Sequence, residues 1–420
     1  MAPMVRVSLS MVTNAMRVDL RLQLNLKDYA VGSPLYRTGV EFEFREEDEA
    51  FRKVVRDFAE REVAPYAEQW DRDHTFPTET VLAMGELGLF GLPFPEQYGG
   101  AGASFTTLCI AIEELARVDS SMAITLEAGV GLGAAPIANF GTEAQKERWL
   151  PDLCAGRKLA GFGLTEPDSG SDAGATTTRA VLDGDEWVIN GAKAFITNSG
   201  TPITSLVTVT ARTGAEDEIT SIIVPSGTPG FDVEPAYRKM GWHASDTHPL
   251  VFDDCHVPVE STLGERGAGL QQFLATLDDG RIAIAALAVG LAQGCLEHSV
   301  AYAGERVAFG APIGANQGVA FRCADLAVMT ETARLLTYKA AWLKDTGRPY
   351  KQVAAMAKLH ATEVAVDASR HATQIFGGYG YVDETPVSRF YRDAKILEIG
   401  EGTSEIQRLV IGRGLGLPVR

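Results

Sequence analysis

The feature that most constrains the fold is a hydrophobic period that changes twice along the chain. From about Glu46 to Gly156, apolar residues recur three and four positions apart, as on one face of a helix. From about Leu159 to Leu263, strand-forming residues dominate, and from about Gly267 the helical spacing returns. Strands confined to one central segment indicate an α+β protein rather than alternating βαβ units.

The sequence therefore divides into four segments. Residues 45–157 are predicted to form a helical domain, residues 158–264 a compact β domain and residues 265–420 a bundle whose alanine-rich stripe suits close helix packing. Residues 1–44 are interpreted as a dispensable extension. Their basic excess leaves targeting as an alternative, although Ser is sparse and a signal-peptide core is absent. Within the β segment, Asn190-Gly191 is predicted to form a hairpin turn, and Asp183-Gly184 is a second turn signal.

Composition narrows the classes of function. The 420 residues carry a net charge of −17, which argues against general nucleic-acid binding because phosphate neutralisation needs clustered Lys and Arg. The five cysteines form no CxxC pair and share no ligand spacing with the histidines, so no metal site is expected. No apolar run reaches the roughly 18 residues of a membrane span. An odd, unpatterned set of cysteines fits a reducing compartment and buried or idle thiols.

Several glycine-rich segments are candidates for binding or chemistry. Residues 129–134 match a dinucleotide fingerprint, but they lie in a helical zone without the strand before them or the acidic residue about 20 positions later. We interpret them as close packing between helices. By contrast, the polar loop Phe162–Gly174 stands at the boundary between helices and strands, where backbone N–H groups can face an anion or a heteroaromatic edge.

Glu401 is the candidate catalytic base. It is flanked by Gly400 and Gly402, and Ser404 with Gln407 matches a capping box, so a helix is predicted to begin close by. A carboxylate in a glycine break beside a helix N-terminus can serve as a base or line an anion site. The alternative is a solvated loop glutamate, which is the commoner case.

Five segments of the chain occur in an order that resembles the acyl-CoA dehydrogenase family, over residues 45–418. They are Leu164–Gly174, Trp187–Asn198, Met240–Pro258, Gln374–Gly378 and Ile399–Gln407. The resemblance implies an N-terminal helical domain, a middle β barrel and a C-terminal four-helix bundle. It also implies bound FAD and a homotetramer built as a dimer of dimers.

The resemblance assigns residues to two parts of the cofactor. Those expected at the flavin ring and its edge are Phe162, Leu164, Thr165, Gly170, Ser171, Phe195, Ile196, Thr197, Thr403 and Glu405. Those expected at the adenine and pyrophosphate end, across a subunit interface, are Arg306, Phe309, Gln317, Gln374, Ile375, Phe376, Gly377 and Gly378. Residues expected to contact the acyl-CoA are Ser171, Asp278, Arg281, Gly400 and Gly402.

The implied reaction is α,β-dehydrogenation of an acyl-CoA to the trans-2-enoyl-CoA. Glu401 removes the α proton, hydrogen bonds stabilise the enolate oxygen, and the β hydrogen leaves as hydride to flavin N5. Some family members carry the base one residue before the position of Arg281, but that residue is Gly280 here. Glu401 is thus the carboxylate at a family base position, and burial is expected to raise its pKa.

The chain departs from the family pattern at three positions. Gly400 stands where several straight-chain enzymes carry Tyr, which should widen the site and favour short-chain or branched acyl groups. His243 stands where many members have Arg, and Phe195 replaces a common Trp but keeps an aromatic face.

Other functions remain open at this stage. The expected electron acceptor is electron-transfer flavoprotein, with an oxidase that uses O₂ and a flavin monooxygenase or nitroalkane oxidase as rivals. A non-enzymatic flavin scaffold or DNA-associated protein is opposed by the acidic charge and by Glu401. The expected location is the bacterial cytoplasm, or the mitochondrial matrix if residues 1–44 are a transit peptide.

Overall fold

The first helical segment follows the predicted period. The computed structural model describes residues 44–214 and 218–419, so the interpretation of residues 1–43 lies outside the described residues. From residue 44 onwards, seven α-helices precede the first strand: α1 Glu46–Phe58, α2 Ala67–Asp73, α3 Thr78–Glu86, α4 Phe105–Ala116, α5 Ser120–Glu127, α6 Ala135–Phe140 and α7 Glu143–Cys154. Their ends carry local signals: Ser104 caps α4, Asp119 caps α5, and Thr142 with Gln145 forms a capping box at α7.

The glycine-rich stretch after α5 is helical, as its context indicated. Residues Ala128–Ala134 form a π-helix between α5 and α6. A Cβ at Gly129 would lie 2.7 Å from the Phe90 ring, and one at Gly133 would lie 2.8 Å from the carbonyl oxygen of Ala160. These glycines therefore permit close packing and form no dinucleotide loop.

The middle segment is one mixed sheet. Its strands are β1 Leu159–Gly163, β2 Arg179–Asp183, β3 Glu186–Thr197, β4 Thr204–Arg212, β5 Ile219–Pro225, β6 Phe231–Val233, β7 Thr247–Pro258 and β8 Thr262–Leu263. The strand order is β6-β7-β3-β2-β4-β5-β8, with β1 parallel to β4. One buried apolar cluster fills its inner face, with Trp187, Ile189, Val209 and Phe252 among its members.

Two details differ from the sequence-based expectation. Asn190-Gly191 is not a hairpin turn but lies inside β3, at a shift in the register with β7. Gly191 is needed because a Cβ there would lie 2.6 Å from Thr178 Oγ1, so the dipeptide signals a bulge with close backbone approach. The β2–β3 turn follows Asp183 instead. Within the described strands the sheet is also not closed, since the short strands β6 and β8 end it, and "barrel" describes it loosely.

The last segment is a helical bundle around one very long helix. It contains α8 Gly269–Glu305, the strand pair β9 Val307–Ala308 and β10 Ala311–Pro312, and helices α9 Gln317–Asp345, α10 Lys351–Phe376, α11 Pro386–Leu397 and α12 Ser404–Gly414. Helix α8 packs against α4, α9 and α10, and both α11 and α12 pack on α10. The small residues predicted to form the stripe of α10, including Ala357, Ala365 and Ala372, are buried.

One continuous stretch in the part of the chain that the structure describes is long and apolar enough to cross a membrane. It is Ser120–Phe140, which joins α5, the π-helix and α6, and 78% of its most apolar window is buried inside the protein. Burial of this kind is what the core helix of a globular protein shows. The absence of a membrane span remains a prediction.

Candidate active site

Glu401 occupies a strained loop between α11 and α12. Its φ is +52°, in the left-handed region that a residue with a side chain rarely adopts, and Gly402 follows at +94°. Two side chains hold this loop from below, since Lys358 Nζ and Gln407 Nε2 each donate a hydrogen bond of 2.8 Å to the carbonyl of Gly402. Backbone strain that surrounding contacts enforce in this way is typical of functional sites.

The helix after Glu401 begins as expected, but with a different cap. Thr403, not Ser404, is the N-cap of α12, and its Oγ1 accepts a hydrogen bond of 3.3 Å from the backbone N–H of Ile406. Gln407 is therefore one position too late for a capping box and binds the Gly402 carbonyl instead. The positive end of the helix dipole still lies within three residues of Glu401.

The carboxyl group of Glu401 points into a space that two glycines keep open. Its Oε2 atom is buried and has no hydrogen-bond donor among the described residues. A Cβ at Gly280 on α8 would overlap this oxygen, whereas a Cβ at Gly400 would meet nothing nearer than the Ile396 carbonyl at 3.6 Å. Burial raises the pKa of Glu401, and the charges of Lys358 and Arg281 partly offset this effect.

Two further charged residues of this site escaped the sequence analysis. Glu127, the last residue of α5, is fully buried and its carboxyl group lies beside that of Glu401. Lys358 is fully buried under the loop, and burial lowers the pKa of its ammonium group to about 8. A signal existed for both, because each is a lone charged residue in a run of apolar and small side chains.

Most of the residues predicted at the flavin ring lie on the loop after β1 and on β3, whereas Thr403 and Glu405 lie at the start of α12. The backbone N–H of Ala194 donates to the carbonyl of Thr165 at 2.8 Å, which sets the loop after β1 against the strand that carries Phe195. Phe195 is 64% exposed, has a φ of +62° and stacks on Tyr237 at 4.9 Å between ring centroids. Phe162 stacks on Phe273 of α8 at 3.9 Å.

The remaining members of this group differ in exposure. Leu164 and Ile196 are buried, Thr165 and Thr197 are half-buried, and Gly170 and Ser171 are exposed on the loop. Leu164 and Phe162 form an apolar cluster with Phe273, against which Leu132 and Leu277 pack. Because Leu277 lies one helical turn before Gly280, this apolar wall continues towards Glu401.

A buried ion pair fixes the loop in front of this surface. Lys193 Nζ lies 2.8 Å from Glu166 Oε1, and both side chains are almost fully buried. Glu166 also accepts hydrogen bonds from the backbone N–H groups of Thr177 and Thr178. The Lys193 charge and these hydrogen bonds outweigh burial and lower the pKa of Glu166 to about 2. The carboxylate therefore stays ionised and anchors the loop over the range in which the protein is expected to work.

The residues predicted at the adenine and pyrophosphate end form a second group. Arg306 follows α8, and its guanidinium lies 5.6 Å from the ring centre of Tyr379. It lines a cavity of about 830 Å³ together with Tyr302, Ile313, Ile375, Phe376, Gly377, Gly378, Tyr379, Val382 and Glu384. Gly377 ends α10 with a φ of +62°, so a helix C-terminus and backbone groups face this cavity.

Three further residues predicted at the adenine and pyrophosphate end are exposed to solvent. Phe309, at the turn between β9 and β10, is completely exposed and has a φ of +53°. Gln317, the first residue of α9, and Gln374, near the end of α10, are also exposed. Exposed aromatic and amide side chains at this place suit contact with a group shared between subunits.

Four of the five predicted substrate contacts lie on α8 and on the base loop, and the fifth, Ser171, lies on the loop after β1. Arg281 is buried and forms an ion pair with Asp278, whose other oxygen lies 3.1 Å from Lys351 Nζ. Thr403 is half-buried and Glu405 exposed at the start of α12. His243 takes part in a separate cluster: its ring stacks on His74 at 3.9 Å, and its Nδ1 lies 2.9 Å from Asp71. Arg392 pairs with the same aspartate.

Comparison with known proteins defines the class. The family models of the N-terminal, middle and C-terminal domains of acyl-CoA dehydrogenase match residues 45–157, 161–255 and 267–416. This chain belongs to the acyl-CoA dehydrogenase family. Its function is the FAD-dependent dehydrogenation of an acyl-CoA at the CH–CH group.

Two bacterial relatives are similar to this chain over most of their length. The chain is 50% identical to the probable acyl-CoA dehydrogenase YngJ of Bacillus subtilis, over 89% of this chain and 99% of the relative. It is 47% identical to the short-chain specific acyl-CoA dehydrogenase of Clostridium acetobutylicum, over 89% and 98%.

Two solved structures are similarly close. Butyryl-CoA dehydrogenase from Megasphaera elsdenii has a TM-score of 0.87 and 43% identity, over 90% of this chain and all of that one. A structure described for the electron transferring flavoprotein of Acidaminococcus fermentans has the same TM-score and identity, over 90% and 99%.

The residues present fit FAD. An exposed aromatic ring on strained backbone at Phe195 offers a face for the flavin, and the cavity at Arg306 offers a cation for the remainder. At Gly377 and Gly378 a Cβ would meet nothing within 4 Å, so the backbone there faces open space. The individual roles in FAD binding remain predictions.

Proposed function

We propose that this chain is a short-chain acyl-CoA dehydrogenase in which Glu401 is the catalytic base. The observation that carries the proposal is the Glu401 carboxyl group, which is held on a left-handed backbone and whose buried Oε2 has no N–H donor among the described residues. The named activities of the Clostridium relative and of the Megasphaera structure support a short acyl group. The free space at Gly400 supports acyl groups that are branched near the α carbon.

Different groups of the chain have different roles in the proposed dehydrogenation. The Glu401 carboxylate removes the α proton of the thioester, and its raised pKa makes it a stronger base than an exposed glutamate. Among the described residues the backbone N–H of Glu401 has no hydrogen-bond acceptor, so it is available to the enolate oxygen as charge develops there. FAD held against Phe195 and the loop at Thr165 would supply the acceptor for the β hydride.

The apolar wall excludes water from the reacting carbons. Leu164, Leu277 and Leu132 form part of one cluster that lies between the flavin-side loop and α8. A dry wall of this kind strengthens the electrostatic interactions on which the proton transfer depends. It also matches the alkyl part of a short acyl chain, which carries no polar group for this wall to bind.

For partners we propose electron-transfer flavoprotein as the electron acceptor and a homotetramer as the assembly. The similarity to the structure described with the Acidaminococcus flavoprotein supports the acceptor. The complete exposure of Phe309 and the open cavity beside Arg306 support a subunit interface at the second group. For location we propose the bacterial cytoplasm, with the mitochondrial matrix as the alternative if residues 1–44 are a transit peptide, because relatives of this chain occur in bacteria and in mitochondria.

The variant Glu401→Gln tests the base assignment. It keeps the shape of the side chain but cannot accept a proton, so butyryl-CoA should bleach the flavin at least about 10²-fold more slowly, with FAD still bound. Glu398→Gln is the matched control, because this residue lies three positions earlier and pairs with Lys395. Near-normal bleaching by Glu401→Gln would place the base elsewhere.

A further inference from the structure

A second carboxyl group shares the buried space that Glu401 points into. Glu127 has no exposed surface, and neither of its carboxyl oxygens has a donor in the part of the chain that the structure describes. A Cβ at Gly280 would overlap Glu401 Oε2 and lie 3.7 Å from Glu127 Oε1. From the other side, a Cβ at Gly131 would lie 3.0 Å from Glu127 Oε1. The two glycines therefore leave room for both carboxyl groups at one place.

The charges around this pair are unevenly distributed. Lys358 on α10 and Arg281 on α8 both act on Glu401. By contrast, the charged group that acts on Glu127 is Glu401 itself.

These two cations also face other acids. Lys358 is influenced by Glu398 and Glu405, and Arg281 is tied to Asp278. The cations can therefore balance one negative charge at the pair, which falls on Glu401.

Repulsion between the two carboxyl groups decides how many of them can be ionised. Two carboxylates in one dry space repel each other, so one of them retains its proton. Burial raises the pKa of Glu127 well above its ordinary range, and the neighbouring Glu401 charge and the hydrogen bond to Glu401 raise it further. The same hydrogen bond lowers the pKa of Glu401. Lys358 donates to the carbonyl of Gly402, the residue after Glu401, and Arg281 follows Gly280 on α8, so both cations lie on the Glu401 side of the pair. This placement favours the charge on Glu401 and identifies Glu127 as the donor.

We propose that Glu127 is a positioning residue for the base: in its neutral form it donates a hydrogen bond to the Glu401 carboxylate and holds it between Gly280 and Gly131. The proposal rests on the proposed role of Glu401 in proton abstraction. It gives a physical reason for an acid in an otherwise apolar wall. The hydrogen bond keeps Glu401 ionised, although its burial alone would favour the neutral form.

The test compares two substitutions of Glu127 in the FAD-loaded protein. Glu127→Leu removes the donor with little change in volume, whereas Glu127→Gln keeps an N–H donor. The rate of anaerobic flavin reduction by butyryl-CoA is measured against pH. The hydrogen bond favours the charged base, so its loss should move the acid limb to higher pH by about 1–2 units in Glu127→Leu. Glu127→Gln should shift the limb by less than half as much.

Two results would overturn the proposal in this assay. An unshifted limb in Glu127→Leu would show that no hydrogen bond acts on the base. Equal shifts in both variants would show that a hydrogen-bond donor at position 127 does not act on the base.

An infrared measurement covers the case in which Glu127→Leu does not fold. The wild-type protein at pH 7 should show a band of a buried protonated carboxyl that Glu127→Gln removes. A spectrum unchanged by Glu127→Gln would contradict the assignment of the proton. This readout is independent of turnover. If Glu401→Gln bleaches normally, the base assignment fails, while the infrared band still decides the protonation of Glu127.

Discussion

Gly280 offers a perturbation that should separate stability from activity. It lies inside α8, where replacement of Gly by Ala ordinarily stabilises a helix by about 0.5–1 kcal/mol. At this position the added Cβ would overlap Glu401 Oε2. The obstructing atom is the end of a flexible side chain, so the carboxyl group can move aside at little cost to the fold. It cannot do so without leaving the position from which it reaches the substrate.

The magnitude follows from the displacement. A carboxyl group displaced by about 1 Å from a reactive geometry is expected to lose about 10²-fold in rate. The assay is the anaerobic rate of flavin reduction by saturating butyryl-CoA, measured together with the thermal unfolding temperature. We expect Gly280→Ala to reduce the flavin about 10²-fold more slowly, with an unfolding temperature equal to or above that of the wild type.

Gly304 provides the matched control on the same helix. A Cβ at Gly304 meets nothing within 4 Å, so Gly304→Ala should gain the helix stabilisation and keep the wild-type rate. A wild-type rate in Gly280→Ala would refute the reasoning, because it would show that Glu401 does not need the space above Gly280. A large fall in the unfolding temperature of Gly280→Ala would also refute it, because the added Cβ would then destabilise the fold instead of displacing the Glu401 carboxyl group.

Two further variants probe the cofactor and substrate ends. Arg306→Ala should weaken FAD retention during ultrafiltration with little effect on folding, because Arg306 is exposed and lines the cavity beside Gly377; unchanged flavin content would contradict its role. Gly400→Tyr should fill the open space beside the base, so turnover of isobutyryl-CoA should fall more than turnover of butyryl-CoA. Equal losses with the two thioesters would show that position 400 does not limit branching.

The parts of the fold that sequence could predict are those with a local cause. The change of hydrophobic period located the helical and strand segments, because burial of one face imposes a period of 3.6 or 2 on the residues. The hairpin turn predicted at Asn190-Gly191 was wrong because the same dipeptide suits a turn and a bulge. Its role depends on Thr178, a residue on the neighbouring strand that local sequence cannot reveal. The open ends of the sheet likewise depend on pairing between distant strands.

The residues of the site likewise divide into those with a local sequence signal and those whose role depends on distant residues. Glu401 and its flanking glycines were recognisable as a motif, and so were the segments that carry Phe195 and Arg306. Glu127 was not, because its meaning depends on its meeting Glu401 across 274 positions of sequence. Lys358 was not recognised because it lies on the alanine-rich helix α10, whose neighbouring residues pack in the core. A single charge in an apolar run is a visible signal, but only the fold shows which partner it faces.

The central claim is that this chain oxidises short acyl-CoA thioesters with Glu401 as the base. The measurement that tests it most directly is an anaerobic titration of the FAD-loaded protein, in which flavin absorbance is followed as butyryl-CoA, isobutyryl-CoA and longer acyl-CoAs are added. The account predicts bleaching by the short thioesters in the wild type and its loss in Glu401→Gln. A flavoprotein that none of these acyl-CoAs bleaches would contradict it.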